Sequence, residues 1–379
     1  MCRWRHKRRI ASLLFSAAAV CGLAWISASS AGSEAGAVSR SRSPLAVQTV
    51  NLTGSFSPQQ MVSANGKVWL IGTVTSGTNS LSCALEEVNP TSLQRHLYPV
   101  PGCGPDAAVH GQEIYLTSVS YPKDSNNEQI RIERFDTATK RATVLAPLDM
   151  TLGGSSIAHT AMTYGAGSLW LWGYAIGTGN TVAQISPSTG TLVRTITGVP
   201  NIGGIQPSMV VAGGGLWLAG GPGGSGTIER VTPTSQPSVV YTAPPESTVQ
   251  WVAASGTRVW AEIISFQDEG KTVTMHLVTL NANGPKVVLV APSWPFSLIA
   301  APASSNTLMW AVGVEGSSCR TPLQLLRIDG TTGAGRPVLT LRTTGAPCTA
   351  ESAVTVSGPS VFVMVARSST STVLYRVTD

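Results

Sequence analysis

Gly214-Gly-Leu-Trp217 decides the fold, because versions of it return along the whole chain. The others are Gly66-Lys-Val-Trp69, Gly111-Gln-Glu-Ile-Tyr115, Gly167-Ser-Leu-Trp170, Gly256-Thr-Arg-Val-Trp260, Asn306-Thr-Leu-Met-Trp310 and Gly358-Pro-Ser-Val-Phe362. Successive aromatic residues lie 46, 55, 47, 43, 50 and 52 positions apart, the period of a repeat architecture. Before each stands a short apolar stretch, such as Met61-Val62 or Met209-Val-Val211, so each copy opens on a β-hairpin with a turn that most often carries glycine. A second hairpin follows. Its first strand includes Leu85–Val88, Arg131–Phe135, Val182–Ile185, Ile228–Val231, Leu277–Leu280, Leu325–Ile328 and Leu374–Val377. Its turns carry Asn89-Pro90, Asp136-Thr137, Pro187-Ser-Thr-Gly190 or Asp329-Gly330, residues that favour turns through fixed φ or side-chain capping. Four strands at this spacing make one blade, and seven copies predict an all-β, seven-bladed β-propeller over residues 45–379.

The seventh copy reaches Asp379 without a fourth strand, while Val47–Leu52 precedes the first copy without a hairpin partner. Thr49-Val-Asn-Leu-Thr-Gly54 is similar to the return strand Leu339-Thr-Leu-Arg-Thr-Thr344. The early segment is therefore expected to pair with the last blade and close the ring, which removes an unpaired β edge. A blade cannot bury both faces alone, so the core should lie between blades, filled by the aromatic anchors. Composition agrees: 42% of residues are hydrophobic and only 12% charged, which excludes a charge-driven disordered chain.

Thr181-Val-Ala-Gln-Ile-Ser-Pro-Ser-Thr-Gly190, followed by Gln206-Pro-Ser-Met-Val-Val-Ala-Gly-Gly-Gly-Leu-Trp217, resembles bacterial secreted propellers of the YVTN and streptogramin-lyase-like kind. The resemblance spans roughly residues 45–379 and implies a fold, which hosts many functions. The lyase-like members carry Trp-Phe-Thr-Glu after their glycine turns, with a His and a Glu at the ring centre. Here the nearest approach is Trp260-Ala-Glu262, and other copies read Trp69-Leu-Ile-Gly72, Trp170-Leu-Trp-Gly173 and Trp217-Leu-Ala-Gly220, so lyase activity is not carried over.

The first 37 residues read as an export segment. Arg3, Arg5, Lys7, Arg8 and Arg9 precede an uncharged, mostly apolar run from Ile10 to Ile26 and then small residues. Cleavage after Ala31 or Ala37 and retention as a signal anchor are both open, and both place the remainder outside the cytoplasm. Residues 38–44 read as a flexible tether. The formal charge of +6 falls to +2 once the five leader positives and Glu34 are set aside. No basic run remains in the later sequence, so nucleic acid is not an expected partner. Membrane contact is expected only through the leader, and the closed ring is expected to be a monomer.

Cys83 and Cys103 occupy the first copy, Cys319 and Cys348 the sixth, each pair flanking the third and fourth strands of its blade. Equivalent positions in two repeats select Cys83–Cys103 and Cys319–Cys348 as disulfides, in keeping with export. No metal site is expected, there being no Cys-x-x-Cys. No His-Glu-x-x-His or Gly-x-Ser-x-Gly occurs, and the glycine-rich stretch Gly220–Gly226 has no helix after it to cradle a phosphate. No cofactor is expected.

One constellation remains. Residues entering the innermost strands should ring one mouth of the central channel: Gln60, Asp106, His159, Ser208, Gln250 or Trp251, Ser297 and Glu351. A polar ring with an aromatic beside it is a candidate ligand site. His159, between the carboxyls of Asp106 and Glu351, is the candidate acid–base group near neutral pH. Two functions fit. One is a non-catalytic binding or scaffold propeller that presents the loops Ser118–Gln129, Gly220–Gly226 and Phe266–Lys271 to a protein, peptide or glycan. The other is a lyase or hydrolase acting at the channel mouth.

Overall fold

The run Val68-Trp-Leu-Ile71 has no exposed member, so the strand that carries it needs neighbours on both faces. Leu169–Trp172, Leu216–Ala219, Met309–Val312 and Val361–Val365 are buried in the same way. The computed structural model supplies those neighbours as blades on either side. It describes residues 45–378 except 53, 77–79, 105–106, 121–127, 153–160, 176–178, 200–208, 221–225, 268–271, 284–286, 292–293, 306, 317–320, 344–351 and 369–370.

The chain opens with β1 (Ala46–Leu52). Blade 1 follows as β2 (Phe56–Ala64), β3 (Lys67–Ser76), β4 (Ser80–Val88) and β5 (Arg95–Pro99). Blade 2 is β6 (Ala107–His110), β7 (Glu113–Ser120), β8 (Glu128–Asp136) and β9 (Arg141–Leu152). Blade 3 is β10 (Ala161–Gly165), β11 (Ser168–Ala175), β12 (Gly179–Ile185) and β13 (Leu192–Thr197). Blade 4 is β14 (Met209–Ala212), β15 (Gly215–Ala219), β16 (Thr227–Val231) and β17 (Ser238–Thr242). Blade 5 is β18 (Ser247–Ser255), β19 (Arg258–Gln267), β20 (Thr272–Asn281) and β21 (Val287–Ala291). Blade 6 is β22 (Phe296–Ser305), β23 (Leu308–Glu315), β24 (Leu323–Asp329) and β25 (Gly335–Leu341). Blade 7 contributes β26 (Ser352–Ser357), β27 (Ser360–Ser368) and β28 (Ser371–Thr378), and its fourth strand is β1.

Closure occurs as expected. β1 runs antiparallel to β28, with Val47 opposite Val377 and Leu52 opposite Thr372. Each innermost strand packs on the innermost strands of both neighbouring blades, β26 on β2 included, so the circle is complete. Blades 2 and 3 are further linked at the bridge Leu152–Ala175. The hydrophobic core falls into seven clusters, each shared by two adjacent blades. All seven aromatic anchors lie buried in them. In three blades the anchor also ties its own hairpin. The indole N–H of Trp69 donates to the Ala64 carbonyl (3.2 Å), that of Trp170 to Gly165 (3.0 Å) and that of Trp217 to Ala212 (3.1 Å).

Antiparallel pairing places the first and third turns of blades 1–6, the first turn of blade 7 and the start of β1 at one end of the ring. There Asn89, Asp136 and Asp329 cap their turns, each carboxyl or amide oxygen accepting two backbone N–H groups two and three residues on. Those bonds hold the Asp136 and Asp329 carboxyls below the usual carboxylate range. Long basic side chains then reach from one blade to the turn of another. Arg194 donates to the Thr232 (2.6 Å) and Ser235 (3.3 Å) carbonyls, Arg258 to Gly330 and Thr331, and Arg376 to Thr91 (3.1 Å). Lys140 reaches from blade 2 to Glu87 of blade 1 at 2.8 Å.

The Cys83–Cys103 disulfide forms as expected, with Cα atoms 5.3 Å apart. Cys319 and Cys348 lie outside the described residues. A bond across 20 residues stabilises by about 3 kcal/mol on the chain-entropy account. Cys83→Ser should lower the urea midpoint accordingly, and an unchanged midpoint would show that the bond constrains nothing.

Candidate functional site

The innermost strands do not run straight into the mouth of the channel. Three of them bulge at one shared level, where two residues face one on the second strand. In β2 the register slips between Pro58 and Gln60, in β18 between Val249 and Trp251, and in β22 between Leu298 and Ala300. The residues after the slip, Gln60, Trp251 and Ala300, stand opposite Ile71, Glu262 and Val312, each two positions beyond its aromatic anchor. Gln60 and Trp251 are thus equivalent, and Gln250 is the bulged residue. Ser297 pairs with Val314, further out toward the mouth.

Gln60, Gln250 and Ser297 are half-buried, and the Gln250 amide donates to the Thr248 hydroxyl (3.2 Å). Trp251 is buried, and its ring belongs to the cluster between blades 5 and 6 rather than to an open mouth. Asp106, His159, Ser208 and Glu351 lie outside the described residues.

The bulges assemble a group that the sequence pattern did not single out as a site. Glu262, on the second strand of blade 5, is fully buried. Its Oε2 accepts the Trp251 indole N–H (2.9 Å), and its Oε1 accepts the Leu298 backbone N–H (3.4 Å) from blade 6, beside the bulge. Trp294 presses against the same cluster, near enough to favour the charged form yet without a well-formed hydrogen bond. Burial dominates and pushes the carboxyl up to about 8; the donors only partly offset it. Trp260-Ala-Glu262, the nearest approach to the lyase-like text, was the available signal.

A second buried carboxyl steadies the crossover from blade 1 to blade 2. Glu133 is 2% exposed and accepts the Gly102 N–H at 2.9 Å. Burial raises its carboxyl above the usual range, against the pull of Ser118, Gly102 and Arg131. The crossover lies so tightly on blade 2 that a Cβ at Gly102 would come within 2.1 Å of the Ser118 Cβ, and one at Gly104 within 1.9 Å of the Thr117 hydroxyl. Cys103 sits between these two glycines. Among the described residues no group of three or more His, Cys, Asp or Glu side chains is placed to hold a metal ion.

These features define a closed seven-bladed β-propeller with a buried carboxylate between blades 5 and 6. The sequence matches no protein-family model and no curated protein. Solved structures resemble it in fold. The β-propeller domain of the Trilobed protease from Pyrococcus furiosus superposes with a TM-score of 0.54 at 11% identity, over 82% of this chain and 92% of that one. A streptogramin B lyase gives 0.53 at 15% identity, over 88% and 98%. Virginiamycin B lyase from Staphylococcus aureus gives 0.51 at 15% identity, over 88% and 100%. The resemblance to streptogramin-lyase-like propellers is therefore one of fold.

Proposed function

We propose that this chain is exported and acts as a non-catalytic binding or scaffold propeller, presenting its loop-bearing face to a protein, peptide or glycan. The observation that carries the reading is Glu262. The acidic side chain that comes nearest the lyase-like text is buried between blades, accepting hydrogen bonds from Trp251 and Leu298, where no substrate reaches it. The basic and apolar leader supports export, and the Cys83–Cys103 bond is compatible with an oxidising, extracytoplasmic location. Secretion or surface display follows from that reading.

Affinity capture with the exported chain, from extracytoplasmic extracts and on a glycan array, tests it. Retention of one partner at micromolar concentration is expected, and the unsubstituted chain should leave the captured ligand chemically unchanged. Turnover of a captured ligand that disappears in His159→Ala would replace this reading with a lyase or hydrolase at the channel mouth. No retained partner at that concentration would also end it.

A further inference from the structure

Arginines scattered through the sequence are gathered by the fold on one end of the ring. Arg194 (blade 3), Arg230 (blade 4), Arg258 (blade 5) and Arg327 and Arg336 (blade 6) lie within a few residues of a first or third turn of their blade, and Arg376 (blade 7) lies at the same end, where β1 begins. The sequence shows no basic run there, and the antiparallel topology creates the arc. Hydrogen bonds to neutral oxygen atoms hold four of them. Arg194 and Arg258 are bound to carbonyl oxygens of the next blade, Arg376 to the Thr91 carbonyl and the Gln48 side chain, and Arg230 to the Gly213 carbonyl (2.9 Å). The guanidinium groups of Arg230 and Arg327 lie 5.6 and 5.8 Å from the rings of Trp217 and Trp310, and Arg336 is exposed. Neutral partners fix the direction of a cation without cancelling it.

Among the described acids of blades 3–7 at this end, Asp329 accepts N–H groups of its own turn and feels the charge of Arg258, so it offsets part of the arc, and Glu229 alternates to the other face of its strand from Arg230. The arginines outnumber that one carboxylate. Glu86, Glu87 and Glu113, on blades 1 and 2, are paired with Arg95, Lys140 and Arg134. The chain also enters the ring here. Ala46, the first residue of β1, stands opposite Thr378, two residues past Arg376. The leader and the tether therefore join the ring at its basic end. An extended tether of seven residues reaches no more than about 25 Å.

We propose that this turn-bearing end docks on anionic phospholipid headgroups, so that the ring stands on the membrane with its long loops outward. Charge complementarity and the entry point of the leader both favour a bilayer over other polyanions. The inference is independent of the partner proposed above: failure to capture a ligand leaves it untouched, and failure on vesicles leaves the loop face untouched.

The chain recovered from exporting cells is mixed with vesicles of phosphatidylcholine alone, or with one third phosphatidylglycerol. Bound fraction is read by sedimentation and orientation by hydrogen exchange of the turn amides. Exchange remains informative if a retained leader holds the chain to both vesicle types. Protection of residues 232–236 and 330–334 is expected on phosphatidylglycerol only, and is lost in high salt, which shortens the reach of the charges. Arg336→Glu should weaken partitioning five-fold or more, a lost cation near an anionic surface being worth about that factor and the new anion adding repulsion. Arg342→Glu makes the same charge change at the opposite end of blade 6 and should have little effect. Equal protection on phosphatidylcholine, equal effects of the two variants, or an arginine-dependent affinity for duplex DNA above that for vesicles would overturn the proposal.

Discussion

Trp69→Ala is expected to remove about 3–5 kcal/mol of stability, enough to consume much of the margin of an ordinary domain. Trp69 is fully buried and belongs to a cluster that takes Ile114, Leu116 and Phe135 from blade 2. Its ring meets Phe135 edge-on at a centroid distance of 5.3 Å. The Lys140 ammonium sits 4.4 Å above the ring and 2.8 Å from Glu87, which is held below the usual carboxylate range although burial works the other way. Removing the indole empties the cavity, strips the Ala64 carbonyl of its donor and loosens the Lys140 contact together. Trp69→Phe keeps most of the apolar volume and should cost about 1–2 kcal/mol, mainly the lost hydrogen bond. Urea unfolding at neutral pH separates the two. A loss below about 1 kcal/mol for the alanine variant would contradict a core located between blades.

The second large effect is on pH. Glu262 has an ordinary carboxyl value of 4.5 and a folded value of about 8. Between these the folded chain holds a proton that the unfolded chain has released, so stability falls as pH rises through that window and levels off above it. The full window corresponds to about 5 kcal/mol. Glu86, Glu133 and Glu229 are raised by burial and add to the same slope. Glu87, Asp136 and Asp329 are lowered and act oppositely, so stability is lost as pH falls through their folded values. Maximum stability is therefore expected in mildly acid solution. Glu262→Gln keeps an oxygen for the Trp251 indole, carries no charge, and should flatten most of the slope between pH 5 and 8.5. A wild-type urea midpoint that does not move across that range, or a glutamine variant that keeps the whole slope, would show that Glu262 is not the controlling group.

The repeat was legible because its signals are local. The Gly-x-x-Trp turns, the apolar second strands and the Asn89, Asp136 and Asp329 caps depend on neighbours a few residues away. Closure by Val47–Leu52 and the Cys83–Cys103 bond followed by comparing copies, since equivalent positions in a repeat occupy equivalent places. The candidate site was harder to read. A bulge is one extra residue, invisible in an apolar pattern, yet it decides whether Gln250 or Trp251 turns into the blade. Glu262 looked like an isolated acid because its partners come from another strand and another blade. The arginine arc was hidden for the same reason, successive members being as much as 69 residues apart in sequence, Arg258 to Arg327.

The pairing of β1 with β28 also sets a timetable for the nascent chain. Ala46 emerges from the ribosome long before Thr378, its partner. At ordinary synthesis rates the delay is roughly 15 to 65 s. Through that wait the early strand has no place to lodge, and six blades can stack without a lock. The ring therefore cannot close before residues 372–378 have been made.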